Sequence, residues 1–198
     1  MLKNTYKNKK ILITGNTGFK GSWLSAWLQV LGANILGVSL PPKSSPNHWE
    51  LLNTEHETQY LDIRESQKIA QVIRNFGPDL IFHLAAQSLV LESYEHPLET
   101  WSTNVLGTAN VLNACRSSQN LAAIVVITSD KCYENNEQLW GYRECDPLGG
   151  GDPYSASKAA TELVSNSYRK SFFNAPGSPL IATARAGNVI GGGGPRGI

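Results

Sequence analysis

Tyr154 and Lys158 stand four residues apart in Tyr154-Ser155-Ala156-Ser157-Lys158, a spacing that puts both side chains on one helical face. A free tyrosine ionises near ~10 and is a poor base at neutral pH. An adjacent ammonium favours the phenolate, so Lys158 is expected to lower the Tyr154 pKa and make the pair an acid–base group. Upstream, Thr128-Ser129-Asp130-Lys131 ends an apolar run. Its hydroxyls, carboxyl and amine could hydrogen-bond a sugar hydroxyl, donate a proton and remove one. Near the N-terminus, Gly15-Asn16-Thr17-Gly18-Phe19-Lys20-Gly21 gives GxxGxxG. Glycines there permit a tight turn and let backbone approach a pyrophosphate, which a following helix N-terminus attracts. The order Lys20-Gly21-Ser22 excludes a nucleoside-triphosphate P-loop, which needs Gly-Lys-Ser/Thr.

To act together, these groups need a scaffold in which strands end at one edge. Short apolar runs predict strands at Lys10–Gly15, Asn34–Leu40, Tyr60–Ile63, Asp79–Ala86, Ala122–Asp130 and Pro179–Ile190. Helical spacing predicts helices over Gly21–Gly32, Glu65–Phe76, Pro97–Ser117 and Pro153–Phe173. Pro41–His56, rich in Pro, Ser and Asn, reads as surface loop with room for one short helical turn, and Tyr133–Asp152 reads as irregular. The alternation implies βαβ units: an α/β, Rossmann-type doubly wound parallel sheet with helices on both faces. YxxxK alone is usually a solvated helix face, and Ser-Asp-Lys alone a polar strand exit. Their joint position after a phosphate loop and βαβ units favours catalysis.

Composition bounds the function. The 198 residues are 41% hydrophobic and 17% charged with a net charge of +1, a packed domain with no field drawing it to nucleic acid or a membrane surface. The apolar run near the basic N-terminus is too short for a signal peptide or membrane span. Cys115, Cys132 and Cys145 form no CxxC pair, which argues against a disulfide framework and for a cytoplasmic setting. No His pair has metal-ligand spacing: His48, His56 and His96 lie singly, and no metal is expected. His83 sits inside the apolar run LIFHLAA and is expected to be a packed, hydrogen-bonded histidine. Cys132 reads as a small apolar filler, and Trp23 with Trp27 as core or an oligomer face.

The dinucleotide's type is not fixed by these residues. The second strand ends Ser39-Leu40-Pro41-Pro42 with no carboxylate for an adenosine ribose, and Lys43 is the nearby cation. Asp62-Ile63, after the third strand, could meet an adenine edge or be an ordinary turn.

GxxGxxG, HLAAQ (His83–Gln87), TNVLGT (Thr103–Thr108), TSDKCY (Thr128–Tyr133), YSASK and RAGNVIGGG (Arg185–Gly193) together resemble the extended short-chain dehydrogenase/reductases, the NAD-dependent epimerase/dehydratase family. Thr14–Leu28, TSDKCY and GYRECDPLGGGDPYSASK are most similar to its CDP-glucose 4,6-dehydratases. Relatives acting on dTDP-glucose usually carry Asp-Glu where this chain has Asp130-Lys131. The resemblance implies NAD as cofactor, held by Gly15, Thr17, Gly18, Phe19, Lys20 and Gly21 of the loop. Asp62 and Ile63, then Leu84, Ala85, Ala86 and Gln87, and finally Asn104, Thr128, Tyr154 and Lys158 would complete that site. It further implies that Tyr154, Lys158, Ser129, Asp130 and Lys131 convert CDP-glucose to CDP-4-keto-6-deoxyglucose, with Gln87, Ser129 and Asn188 contacting the nucleotide sugar. Helices Pro97–Ser117 and Pro153–Phe173 would form a homodimer interface. A 4-epimerase, or a non-catalytic NAD-binding fragment, are the competing readings. Leu91-Glu92 departs from the family's basic residues at that place. Residues 1–190 are expected to be the NAD-binding domain and 191–198 the start of a truncated substrate region, since the chain stops directly after a strand.

Overall fold

Strand β1 (Lys10–Thr14) sits at the centre of the protein, and its alternating side chains feed two separate cores. A computed structural model describes residues 4–52 and 54–192. Ile11 and Ile13 pack with Ile35 and with Leu28 of helix α1 (Phe19–Val30) on one face. Leu12, Leu36, Val38, Ile81 and Ile124 face the other way, against α3 (Ser66–Phe76) and α6 (Thr108–Cys115). Helices therefore cover both faces.

The remaining strands are β2 (Asn34–Ser39), β3 (Glu57–Tyr60), β4 (Leu80–His83), β5 (Ala123–Ile127) and β6 (Leu180–Ala184). All pair in parallel in the order β3-β2-β1-β4-β5-β6. This is the expected doubly wound Rossmann arrangement. α2 (His48–Leu52) is the short turn of helix inside the expected Pro41–His56 loop. α4 (Val90–Glu95) and α5 (Pro97–Trp101) follow β4, and α7 (Pro153–Ser171) links β5 to β6.

Four expectations shift. The third strand is Glu57–Tyr60 rather than Tyr60–Ile63: Leu36 to Ser39 pair in register with the polar run ETQY, while Leu61 and Ile63 plug the core beyond it. The expected helix Pro97–Ser117 is interrupted by a π-helical turn at Ser102–Gly107, and α4 precedes it unforeseen. β6 ends at Ala184, six residues short of the expected Ile190, once its register with Ile127 is exhausted. Trp23 and Trp27, expected as core or an oligomer face, are about half exposed, which removes the core alternative. No helix among the described residues is long and apolar enough to cross a membrane. The expected unit 191–198 lies outside the described residues from 193 onward.

Candidate active site

Because every strand is parallel, all C-terminal ends lie on one edge, and strand order reverses direction between β1 and β4. That reversal opens a crevice at the sheet's switch point. The phosphate loop enters it directly from β1. Gly15 has a φ of 75°, and a Cβ there would lie 2.7 Å from the Ala85 amide nitrogen. A Cβ on Gly21 would overlap the Gly15 carbonyl oxygen. The loop is thus folded on itself and pressed against Leu84-Ala85-Ala86, with room for a Cβ only at Gly18. The first-turn N–H groups of α1 have no intrahelical acceptor and point out of the loop, beside glycine backbone that a ligand can approach. This cradle fits a dinucleotide pyrophosphate. Thr17 Oγ1 donates to Leu40 O (2.9 Å) and meets Ser39 Oγ at 2.6 Å, tying the loop to the β2 exit.

The second half of the site is built on α7. Asp152 caps that helix by accepting from the Ser155 amide (2.9 Å) and hydroxyl (2.5 Å), and Pro153 occupies its first turn. This cap places Tyr154 and Lys158 on the buried side, 9% and 6% exposed. Lys158 Nζ donates to Ile127 O (3.2 Å), the last residue of β5. Burial and then the positive charge of Lys20 push the Lys158 ammonium down to about 8, with Glu162 opposing. Burial also lowers half-buried Lys20, against the attraction of Asp130. The expectation that Lys158 lowers Tyr154 is corrected. The phenol is raised, chiefly by burial, and Asp130 and Asp152 add to the rise while a Ser129 hydrogen bond opposes it.

Ser129 continues β5 and donates to Asp130 Oδ1 (3.1 Å); Asp130 and Lys131 begin a one-turn 3-10 helix and both are exposed. Gly187, past β6, passes beside Asp130, where a Cβ would lie 3.1 Å from Oδ2, and neighbouring Asn188 is exposed.

Not every expected ligand residue presents its side chain to this crevice. Ile63 is buried beneath Gly107, and the Asp62 carboxylate is held by Arg64 (2.6 and 2.9 Å), whose hydrogen bond keeps it below the usual range. Gln87 spends its amide on Leu89 O and Thr100 Oγ1 (3.0 and 2.9 Å). Asn104, displayed by the π turn, accepts from the Gln87 amide (2.8 Å) and donates to Gln87 O and Ser157 Oγ (3.0 and 2.8 Å). It straps the β4 exit to α7. Thr128 donates to Glu162 Oε1 (2.5 Å).

His83 is the packed histidine expected. The Thr108 hydroxyl donates to Asn104 O (2.7 Å), so it must accept from His83 Nε2–H (2.9 Å), leaving Nδ1 to accept from Thr14 (2.7 Å). Burial, helped by the Lys158 charge, pushes the ring down to about 3. Cys132 is a buried filler as expected. No cluster of metal-ligating side chains occurs among the described residues. Sequence reasoning missed Glu162 and Arg185; a lone acid one turn beyond Lys158, on the same helical face, was the signal available.

A family model described as GDP-mannose 4,6 dehydratase matches residues 12–177. A CDP-glucose 4,6-dehydratase of Salmonella typhimurium is 49% identical over 96% of this chain and 55% of its own length. Among solved structures, an epimerase from Methanothermobacter thermautotrophicus superposes with a TM-score of 0.80 at 26% identity, covering 92% of this chain and 52% of that one. A Thermus thermophilus UDP-glucose 4-epimerase in complex with NAD gives 0.75 at 25% identity, covering 89% and 54%. The chain spans about half the length of these relatives.

Proposed function

The chain belongs to the GDP-mannose 4,6 dehydratase family, and on that premise we propose that it carries the cofactor cradle and acid–base groups of a nucleotide-sugar 4,6-dehydratase acting on CDP-glucose. The observation carrying this reading is the gathering of Ser129, Asp130 and Lys131 at the end of β5 beside the buried Tyr154–Lys158 pair. Similarity to the Salmonella CDP-glucose 4,6-dehydratase supports the choice of base. The glycine cradle and the NAD complex of the Thermus neighbour support NAD, with residues 1–190 as its binding unit. When bound, NAD would supply a hydride store, taking the hydrogen of sugar carbon 4 and giving it back at carbon 6 after water has left, so that the cofactor ends unchanged and the sugar ends as the 4-keto-6-deoxy product.

The protein's own groups then divide the work. Ser129 orients the 4-hydroxyl and Tyr154 Oη takes its proton, a transfer that the Ser129 hydrogen bond favours against the phenol's burial. The resulting 4-keto group acidifies carbon 5. Lys131 removes the carbon-5 proton; the carbon 6–oxygen bond breaks, and Asp130 protonates the departing hydroxyl so that water leaves. Gln87 and Asn188 belong to the sugar-nucleotide end of the site in this reading. The buried thiols of Cys115 and Cys132, pushed by burial up to about 12 and about 11, suit a reducing cytoplasm. Residues on α4, α5 and α7 supply a homodimer face.

The test is mass spectrometry of products after incubation with NAD+ and CDP-, dTDP-, UDP- or GDP-glucose. Water loss from CDP-glucose is expected. Asp130→Asn should cut that loss by about two orders of magnitude or more, as removal of a general acid does. A 4-epimerase would give no water loss from any sugar and would be indifferent to Asp130→Asn, and that outcome overturns the proposal.

A further inference from the structure

Beneath the Tyr154–Lys158 pair lies a buried charged network that the proposed chemistry does not use. Glu162, 5% exposed, stands one helical turn beyond Lys158 on α7. Its carboxylate accepts from Thr128 Oγ1 on β5 (2.5 Å), Thr183 Oγ1 on β6 (2.9 Å) and the Arg185 guanidinium (3.1 Å). Arg185 lies over the Tyr133 ring (4.8 Å) and donates to Glu144 O (3.1 Å). Burial would raise the Glu162 carboxyl, but those three donors and the Arg185 charge outweigh it and hold the group below its usual range. The carboxylate is therefore ionised at neutral pH inside the protein.

Two structural links run from it to the reactive pair. Thr128, which Glu162 grips, directly follows Ile127, whose carbonyl accepts from Lys158 Nζ, and directly precedes Ser129 of the strand exit. Glu162 also shares the inner face of α7 with Lys158 at i,i+4, where its charge opposes that of Lys20 arriving from the phosphate loop. We propose that Glu162 is the positioning residue of the Tyr154–Lys158 pair: it fixes the β5 exit on which Lys158 leans, and sets a carboxylate on the same helical face one turn from the Lys158 amine. The proposal rests on reading that pair as the acid–base group.

The charged and titratable groups facing Lys158 are Lys20 from α1, Glu162 from α7 and His83 from β4, the last neutral at every pH above about 3. Asp130 reaches it only through Lys20 and Tyr154. Glu162→Gln keeps an acceptor for Thr128 while deleting the charge. Following the Nζ resonance of Lys158 against pH in 15N-lysine-labelled protein, without cofactor or substrate, reads the consequence. The Lys158 midpoint, about 8 in the native protein, should fall by about one pH unit in Glu162→Gln, a tenfold weaker proton affinity. Arg185→Gln, which unshields Glu162, should move the midpoint upward and keeps the test alive if Glu162→Gln does not fold. A Lys158 midpoint unmoved in both variants, or moved in the same direction by both, overturns the proposal. Since the titration needs no turnover, a shifted midpoint in a protein that dehydrates no sugar would sink the proposed activity and leave this assignment standing.

Discussion

His83 shows how a single residue can read as chemistry yet serve structure. It sits in the strand that flanks the crevice, 2% exposed, with Thr14 and Thr108 fixing both ring nitrogens and admitting no second proton. In the unfolded chain the ring ionises near ~6.5. Folding depresses it to about 3. The unfolded state thus binds the extra proton first, so stability is complete above ~6.5 and is lost as pH falls from there toward 3. Each pH unit in that window costs about 1.4 kcal/mol for this group. His56, pushed by burial to about 4, adds the same sign. Denaturant titrations between pH 7 and 5 should show stability falling with acid, and His83→Gln should be less stable at pH 7 but have a flatter slope. An unchanged slope would mean the ring is not held neutral. Tyr154 teaches the reverse lesson. Its spacing from Lys158 was visible in the sequence, but the direction of its pKa was not, because burial and the approach of Asp130 are tertiary facts.

At the scale of elements, the phosphate loop separates what folding needs from what a ligand needs. A Cβ at Gly21 would strike the backbone of Gly15 and Asn16, which cannot move without opening the turn, whereas a Cβ at Gly18 meets only the Gly15 carbonyl oxygen, at 3.3 Å. Gly21→Ala should therefore destabilise the fold by at least ~2 kcal/mol, a cost typical of a backbone clash or overpacking. Gly18→Ala should stay within about 1 kcal/mol of the parent and still weaken dinucleotide binding tenfold or more, by intruding where a pyrophosphate approaches. Calorimetric binding of NAD+ beside chemical denaturation checks both arms; equal effects of the two changes on folding would refute the division. The strand-to-helix position of this loop was legible because β1 is a continuous apolar run ending in glycine, although the apolar spacing of α1 misplaced Trp23 and Trp27. β3 was misplaced because its paired residues, ETQY, are polar and half exposed, so the buried pair Leu61 and Ile63 carried the strand signal instead. The π turn at Ser102–Gly107 was illegible for another reason. Nothing in local propensity marks it, and its justification is long-range: Asn104, carried on it, bonds Gln87 and Ser157, and its carbonyl accepts from Thr108 and Thr161.

For the molecule as a whole, the helices that carry the site also carry its apolar surface. Leu91, Tyr94, Leu98, Leu106 and Leu163 are each more than half exposed on α4, α5, the π turn and α7. These elements pack side by side over one face of the sheet. Exposed leucines on helices that pack together are costly to leave in water and are typical of a subunit interface, which buries about 800 Å² per partner in a standard case. The same α7 that would face a second copy holds Tyr154, Lys158 and Glu162 on its inner side, so pairing would stiffen the helix on which the reactive groups stand. Sedimentation at micromolar concentration should give a dimer. Leu98, at 82% exposed, contributes little to the monomer's own core, so Leu98→Glu should yield a monomer whose secondary structure is intact. That monomer should bind 8-anilinonaphthalene-1-sulfonate more strongly than the parent, because the remaining leucines stay uncovered. A parent protein that is monomeric under these conditions, with unchanged dye binding in Leu98→Glu, would show that this face does not join two copies.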